Sequence, residues 1–260
     1  MDLPVLDPHT LIVGLLIFLR VGLILIMLPV LGHSVVPMQT KAGLALLISI
    51  LLYPVVAPTV PAIPLAPVAL AVIAVKEIFI AGMIGLFAQL VFSAVQFAGQ
   101  VMSYQMGLAV ANIFDPVTQS QEAVVGQIAT TTAMLIWLAV GAHHLLLMSL
   151  ADSFHLLPIG ASWSFHGWMA LSDAVAAMFV TGLRLMAPIM VLLLFVYVAL
   201  GLLARTVPQI QVFFVSAPLT VALGLLVFAL SLPAFVMALE QSYAHLGALL
   251  PDFMHAMAGT

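Results

Sequence analysis

Six long, predominantly apolar stretches follow one another along this chain, separated by short polar or proline-rich interruptions. A membrane-spanning helix needs about 20 mainly apolar residues to cross the hydrocarbon core of about 30 Å, and most of these stretches reach that length. The pattern therefore predicts an all-α, polytopic membrane bundle of about six long, partly kinked helices arranged as hairpins. The predicted helices cover residues 9–31, 37–53, 66–106, 121–150, 171–204 and 212–232, and a weaker amphipathic tail covers 233–250.

The third and fifth stretches are too long to be simple spans. At 1.5 Å per residue, residues 66–106 would form a helix of about 60 Å, roughly twice the hydrocarbon thickness. Such a helix must tilt, kink or project beyond the membrane, and Pro188 predicts a kink in the fifth helix. Arg20 lies midway along the first helix, where a charge is costly. Its side chain must face protein or water, or else reach a membrane surface.

No internal repeat recurs, so residues 1–260 are predicted to form one domain. Pro54 is expected to end the second helix, and prolines then recur at every third position from Pro58, as in stiff polyproline II. The domain is expected to comprise a first helical hairpin (1–57), a proline-rich connector (58–67), long helices (66–150) that flank a loop at 106–121, and a C-terminal hairpin (171–250).

Residues 106–121, MGLAVANIFDPVTQSQ, interrupt two predicted helices and are called the central loop. Gly107 is expected to end one helix and to serve as a hinge, while Asp115–Pro116 starts the next, since Asp caps free N–H groups and proline lacks one. Lipid cannot satisfy irregular backbone, so this mainly apolar loop must be buried in protein or line a cavity. A tight turn packed on its own helices and an obstruction in a lumen both fit. The residues concerned are Met106, Gly107, Leu108, Ala109, Val110, Ala111, Asn112, Ile113, Phe114, Asp115 and Pro116.

Two further patterns lie on the third predicted helix. Five neutral polar residues share one helix face and form a polar stripe, which fits either ordinary hydrogen bonding between helices or a wet lumen. Small residues at helical spacing form a small-residue face, which permits close packing of helices at an interface. The stripe comprises Gln89, Ser93, Gln96, Gln100 and Ser103; the small-residue face comprises Ala81, Gly85, Ala94 and Ala98; and a compact polar connector after the fifth helix includes Arg205, Pro208 and Gln209.

Composition narrows the class further. Of the 260 residues 65% are hydrophobic and 5% charged, which excludes a soluble domain of this length. The net charge of −4 with five Lys and Arg disfavours nucleic acid or anionic lipid as the main partner, and the absence of cysteine excludes disulfides and thiolate chemistry. No catalytic or nucleotide-binding motif is present. No catalytic residue, metal or cofactor is therefore expected. A pore or scaffold component fits best, and a secondary transporter of a small solute is the alternative.

Three stretches together resemble the FliR family of flagellar export-gate subunits, whose injectisome counterpart is called SctT. They occur in the family's order and spacing and span nearly the whole chain. The first runs from Phe18-Leu-Arg20-Val-Gly22 through Pro29 to Pro37 and Lys41; the second contains Gln96-Phe-Ala-Gly99-Gln100, Gln105-Met106-Gly107-Leu108-Ala109 and Phe114-Asp115-Pro116; the third contains Arg205-Thr-Val-Pro208-Gln209-Ile-Gln211-Val-Phe213 and Pro218.

The resemblance implies a non-enzymatic, single-copy subunit of a helical export gate in the bacterial inner membrane, at the flagellar basal body or the injectisome base. FliP-like and FliQ-like subunits would share the complex, FlhB and FlhA would complete the gate, and unfolded flagellar or secreted proteins would pass through it. The assembled cone would rise largely out of the membrane plane. In this family the central loop projects into the lumen as a plug, and its tip here would be Phe114.

Overall fold

Seven α-helices make up the part of the chain that the computed structural model describes, residues 7–28, 32, 36–108, 124–161, 167–207 and 212–258. No strand occurs among these residues. The helices are α1 (Pro8–Met27), α2 (Met38–Val56), α3 (Pro67–Gln105), α4 (Val124–Ala139), α5 (Ala142–Leu156), α6 (Trp168–Thr206) and α7 (Val212–Ala258), with a short 3-10 turn at Ala57–Thr59.

Five of these helices are long and apolar enough to cross a membrane, and α4 with α5 forms a sixth candidate that is bent by 67°. At 39 residues, α3 and α6 each measure about 58 Å, well beyond the thickness of the hydrocarbon core. The all-α, polytopic prediction is confirmed.

The stretch predicted as one helix over residues 121–150 is divided at Val140 and Gly141. Gly141 adopts a left-handed conformation with φ of 73°, which a residue with a side chain rarely enters, and α5 starts directly after it. The second part then continues to Leu156, six residues past the predicted end. The prediction of one continuous helix was wrong. It relied on hydropathy, and a single glycine hardly changes the hydropathy of an apolar run.

Pro54, which was expected to end a helix, and Pro233, the first residue of the predicted tail, both lie inside helices. Helix α2 continues past Pro54 to Val56, and α7 passes through Pro233 to Ala258, joining the predicted sixth helix and the tail into 47 residues. A proline removes one backbone hydrogen bond, but membrane helices tolerate prolines where neighbouring helices, Ser or Thr side chains or a local change of helix geometry satisfy the freed carbonyl group.

The chain divides into two compact units. The first unit contains residues 1–90, 141–175 and 244–260. Its core includes the fully buried rings of Phe87 and Phe253, whose centroids lie 4.7 Å apart. Helix α3 approaches α1 closely at Gly85, where an added Cβ would lie 2.6 Å from both Cβ and Sδ of Met27. Glycine is therefore required at this contact.

The second unit contains residues 91–140 and 176–243. Phe92 of α3 lies between Trp137 of α4 and Tyr243 of α7, with ring centroids 6.4 and 6.2 Å away. Gly182 of α6 packs on Phe97 of α3, since an added Cβ would lie 2.8 Å from Cδ1 of that ring. Phe92 and Phe97 thus connect α3 with α4, α6 and α7 in this unit.

We predict that Gly85→Leu lowers the amount of folded, membrane-inserted chain, because the new side chain overlaps Met27 and overpacking costs about 1–3 kcal/mol. The matched control is Gly82→Leu on the same helix, where an added Cβ meets nothing within 4 Å. Detergent extraction followed by fluorescence-detected size exclusion measures both. Equal yields of monodisperse protein from the two variants would contradict the prediction.

Candidate functional site at the ends of the central loop

Helix α3 ends in a Schellman motif centred on Gly107. The N–H of Gly107 donates to the carbonyl oxygen of Tyr104 and the N–H of Leu108 to that of Ser103, both at 3.1 Å, and φ of Gly107 is 81°. This motif requires a left-handed residue just past the helix, which is usually glycine. Gly107 ends the helix as predicted, and these two hydrogen bonds cap the helix end. The suggested role of Gly107 as a hinge stays a prediction.

At the same end of α3, the carbonyl oxygens of Gln105 and Met106 accept hydrogen bonds from side chains that are distant in sequence. Thr220 Oγ1 of α7 lies 3.0 Å from the carbonyl oxygen of Met106 and shares its single proton with two carbonyls of its own helix. The hydroxyl of Tyr197 in α6 donates to the carbonyl oxygen of Gln105. Because a helix leaves its last four carbonyls without partners, these contacts tie the start of the central loop to α6 and α7.

The side chain of Met106 is fully buried against Gly224 of α7. A Cβ added at Gly224 would lie 2.7 Å from Cγ and Cε of Met106. The glycine therefore makes room for the methionine, and the first residue of the central loop is held by packing as well as by its backbone.

The far end of the loop is held by a contact between two glycines. Gly99 of α3 faces Gly126 in the first turn of α4, and a Cβ added at Gly99 would lie 2.5 Å from Cα of Gly126. A Cβ added at Gly126 would meet its nearest atom at 3.6 Å, an ordinary van der Waals distance. The helices on both sides of the central loop thus touch through backbone.

Several residues singled out in the sequence lie outside the described residues, and their suggested roles stay predictions. Arg205 is described, and it is exposed in the last turn of α6. The residues outside are Ala109, Val110, Ala111, Asn112, Ile113, Phe114, Asp115 and Pro116 of the central loop, and Pro208 and Gln209 of the connector.

The polar stripe is mostly accessible. Gln89, Gln96 and Gln100 are exposed, Ser93 is half-buried, and Ser103 is buried. Among the described residues, the Ser103 hydroxyl has no hydrogen-bond partner. Gln89 donates from Nε2 to the carbonyl oxygen of Met27 at 3.2 Å, whereas the side chains of Gln96 and Gln100 remain accessible to groups outside this chain.

The small-residue face makes contacts inside the chain. All four residues are buried. Gly85 meets Met27 of α1, and the carbonyl oxygen of Ala94 lies 3.2 Å from a Cβ built on Gly182 of α6. The close packing that small residues permit is therefore used at least in part within this protein.

A buried ion pair in the first unit was missed by the sequence analysis. Nε of Arg20 in α1 lies 2.6 Å from Oε2 of Glu77 in α3, and both side chains are buried. The guanidinium also donates from Nη1 and Nη2 to the carbonyl oxygens of Ser153 and Leu157, each at 2.9 Å. Its carbon Cζ lies 4.4 Å from the ring centroid of Phe154. Of the three environments considered for Arg20, namely protein, water and a membrane surface, the structure shows the protein interior.

The signal for this pair was present in the sequence. Arg20 and Glu77 are opposite charges, each within a long apolar helix, and such charges usually pair with one another. The sequence pattern does not show that α1 and α3 are neighbours. No group of three or more His, Asp or Glu that could hold a metal ion occurs in the described part of the chain.

The fold and these contacts define a polytopic α-helical membrane protein whose long helices contact one another through hydrogen bonds and close packing. Residues 11–246 match the family model for bacterial export proteins, family 1. The flagellar biosynthetic protein FliR of Pectobacterium carotovorum subsp. carotovorum is 34% identical, covering 94% of this chain and 93% of that protein. FliR of Escherichia coli strain K12 is 34% identical, over 91% and 90%, and FliR of Bacillus subtilis strain 168 is 30% identical, over 88% and 90%.

The chain therefore belongs to the FliR family of flagellar biosynthetic proteins. Membership implies a membrane protein of the flagellar export apparatus, which works as part of a complex.

We predict that Gly99→Ala destabilises the protein whereas Gly126→Ala is tolerated. The first substitution forces the backbones of α3 and α4 apart, at an overpacking cost of about 1–3 kcal/mol, while the second meets ordinary distances only. Thermal unfolding of the detergent-solubilised variants measures the difference, with each variant serving as the control for the other. Equal shifts in Tm would show that the glycine contact does not set the spacing of these helices.

Arg20→Met should be strongly destabilising, because it leaves the Glu77 carboxylate buried without its partner, at a cost of about 3–5 kcal/mol. The double variant Arg20→Met with Glu77→Leu removes both charges and should recover part of that loss. The amount of folded chain in the membrane and its Tm in detergent are the measurements. A double variant no better than the single one would mean that the ion pair is not the source of the loss.

Proposed function

We propose that this chain is a non-enzymatic, structural pore component of the export gate through which unfolded flagellar or secreted proteins cross the bacterial inner membrane. It would act as a single copy in a hetero-oligomer with FliP-like and FliQ-like subunits, next to FlhB and FlhA, at the flagellar basal body or the injectisome base. Family membership over about nine-tenths of the chain supports this role.

In this proposal the central loop is a luminal plug. The observation that carries it is that the helices on both sides of an apolar loop are tied down. Gly107, Met106 and Gln105 are held at the first end, and Gly99 contacts Gly126 near the second. Fixed helix ends would keep a short apolar segment at a constant place in a complex.

An apolar segment is suited to closing a pore. A pore wide enough for an unfolded chain would dissipate the ion gradient if it stayed open, and hydrophobic constrictions close pores by expelling water. Between Leu108 and Phe114 the only polar side chain is Asn112. The exposed glutamines of the polar stripe would face the wet lumen or a neighbouring subunit.

We predict that deleting residues 109–113, or changing Phe114→Ala, leaves the complex assembled and makes the membrane leak ions and small solutes. The deletion begins at Ala109, because the N–H of Leu108 completes the cap of α3. Solute influx into cells and single-channel conductance of the purified complex measure the leak, and blue-native gels measure the level of complex in parallel.

Phe114→Leu is the matched control, since it keeps an apolar side chain of substantial volume and should leave the membrane tight. A deletion variant that assembles at the parental level without leaking would refute the plug. If the parental chain forms no complex when it is expressed with the other subunits, the proposed role in the gate itself is contradicted.

A further inference from the structure

Polar residues of α4 adjoin the polar stripe of α3 where the two helices touch. At the contact between Gly99 and Gly126, a Cβ added at Gly126 would lie 3.8 Å from the backbone nitrogen of Gln100. Gln127 follows Gly126 directly, and the side chains of both glutamines are exposed. One exposed amide from each helix therefore borders the point where α3 and α4 touch through backbone.

Further polar side chains extend from this point along both helices. Gln96 and Tyr104 lie one turn before and one turn after Gln100 on α3, and Thr131 lies one turn after Gln127 on α4. All three are exposed. We call Gln96, Gln100, Tyr104, Gln127 and Thr131 the polar face.

Two buried hydroxyl groups lie beside the same contact. Ser103 is one turn after Gly99 on α3, Thr130 is one turn after Gly126 on α4, and these residues are 1% and 8% exposed. Neither hydroxyl has a hydrogen-bond partner in the described part of the chain. Because a buried hydroxyl without a partner is costly, hydrogen-bonding groups from outside this chain are favoured at this place.

Neither helix carries a charged side chain near the polar face. Residues 78–105 of α3 and all residues of α4 include no Asp, Glu, Lys or Arg. Amide groups are costly in hydrocarbon, so the polar face must meet water or protein rather than lipid. A glutamine amide both donates and accepts hydrogen bonds, as the peptide backbone does.

We propose that the polar face lines the path of the exported protein and forms hydrogen bonds with the backbone of the unfolded chain. The backbone is common to all substrates, whereas a charged surface would hold segments of opposite charge and release them slowly. The location supports this role, because α3 and α4 are the helices on either side of the central loop. The inference rests on the proposed export function and extends the substrate path from the loop to these two helices.

Tyr104 and Phe195 form a matched pair of sites for photocrosslinking. Both are aromatic and similarly exposed, at 70% and 67%, but Tyr104 belongs to the polar face and Phe195 to an apolar surface of α6. The photoreactive residue p-benzoylphenylalanine, which keeps an aromatic ring, replaces each of them in the full chain expressed with the other gate subunits. The probe is a flagellar export substrate fused to green fluorescent protein, whose folded domain halts the unfolded segment inside the gate.

The expected result is a light-dependent crosslink to the substrate from position 104 and none from position 195. Position 114 carries the same photoreactive residue in a third variant, because the proposed plug also lies in the substrate path. A crosslink from position 114 without one from position 104 would overturn the inference and leave the proposed function standing. Equal crosslinking from positions 104 and 195, or crosslinks from position 104 to another subunit alone, would overturn it too. If none of the three positions reaches the substrate, the proposed function is contradicted as well.

A second measurement tests the absence of charge. Gln100→Glu combined with Gln127→Glu should slow the export of a lysine-rich unfolded segment about fivefold relative to a glutamate-rich one, the effect of one close charge pair in water. Gln100→Asn combined with Gln127→Asn keeps both amides and should export the two segments at equal rates. Export is scored per assembled complex, which blue-native gels quantify. Equal rates for both segments in the glutamate variant would show that the exported chain does not meet the polar face.

Discussion

The first unit depends on the placement of one buried positive charge. With no water around it, the guanidinium of Arg20 must find all its hydrogen-bond acceptors in the protein. Glu77 of α3 supplies one, and the carbonyl groups at the end of α5 supply others, groups that a helix leaves without partners. A single side chain thereby requires three helices to meet in one arrangement, which an apolar contact of the same area would not specify.

In the second unit, neutral groups rather than charged ones satisfy the unpaired backbone carbonyls of a helix end. The unpaired carbonyls at the end of α3 accept from hydroxyls of α6 and α7, and a left-handed glycine supplies the rest of the cap. Glycines at positions 99, 182 and 224 let the helices approach closely enough for these contacts. In a chain with so few charges, backbone geometry and small side chains provide the specificity that ion pairs provide elsewhere.

Hydropathy predicted the existence of the helices well and their interruptions poorly. Helix α3 was placed within one residue at each end, because a proline-rich stretch precedes this apolar run and Gly107 follows it. The break at Gly141 and the continuation through Pro54 and Pro233 depend on backbone conformation, to which hydropathy is insensitive. The sequence shows Arg20 and Glu77 as opposite charges in apolar helices but not that they pair, since a one-dimensional pattern does not state which helices are neighbours.

The hydroxyl groups that complete the end of α3 have a consequence for biogenesis. Tyr197 and Thr220 follow their carbonyl partners by 92 and 114 residues. A chain that is made from its N-terminus and inserted helix by helix therefore holds the end of α3 incomplete until its last two long helices have left the ribosome. The central loop cannot take its final anchorage earlier, so a nascent subunit acquires this feature as one of its last steps of maturation.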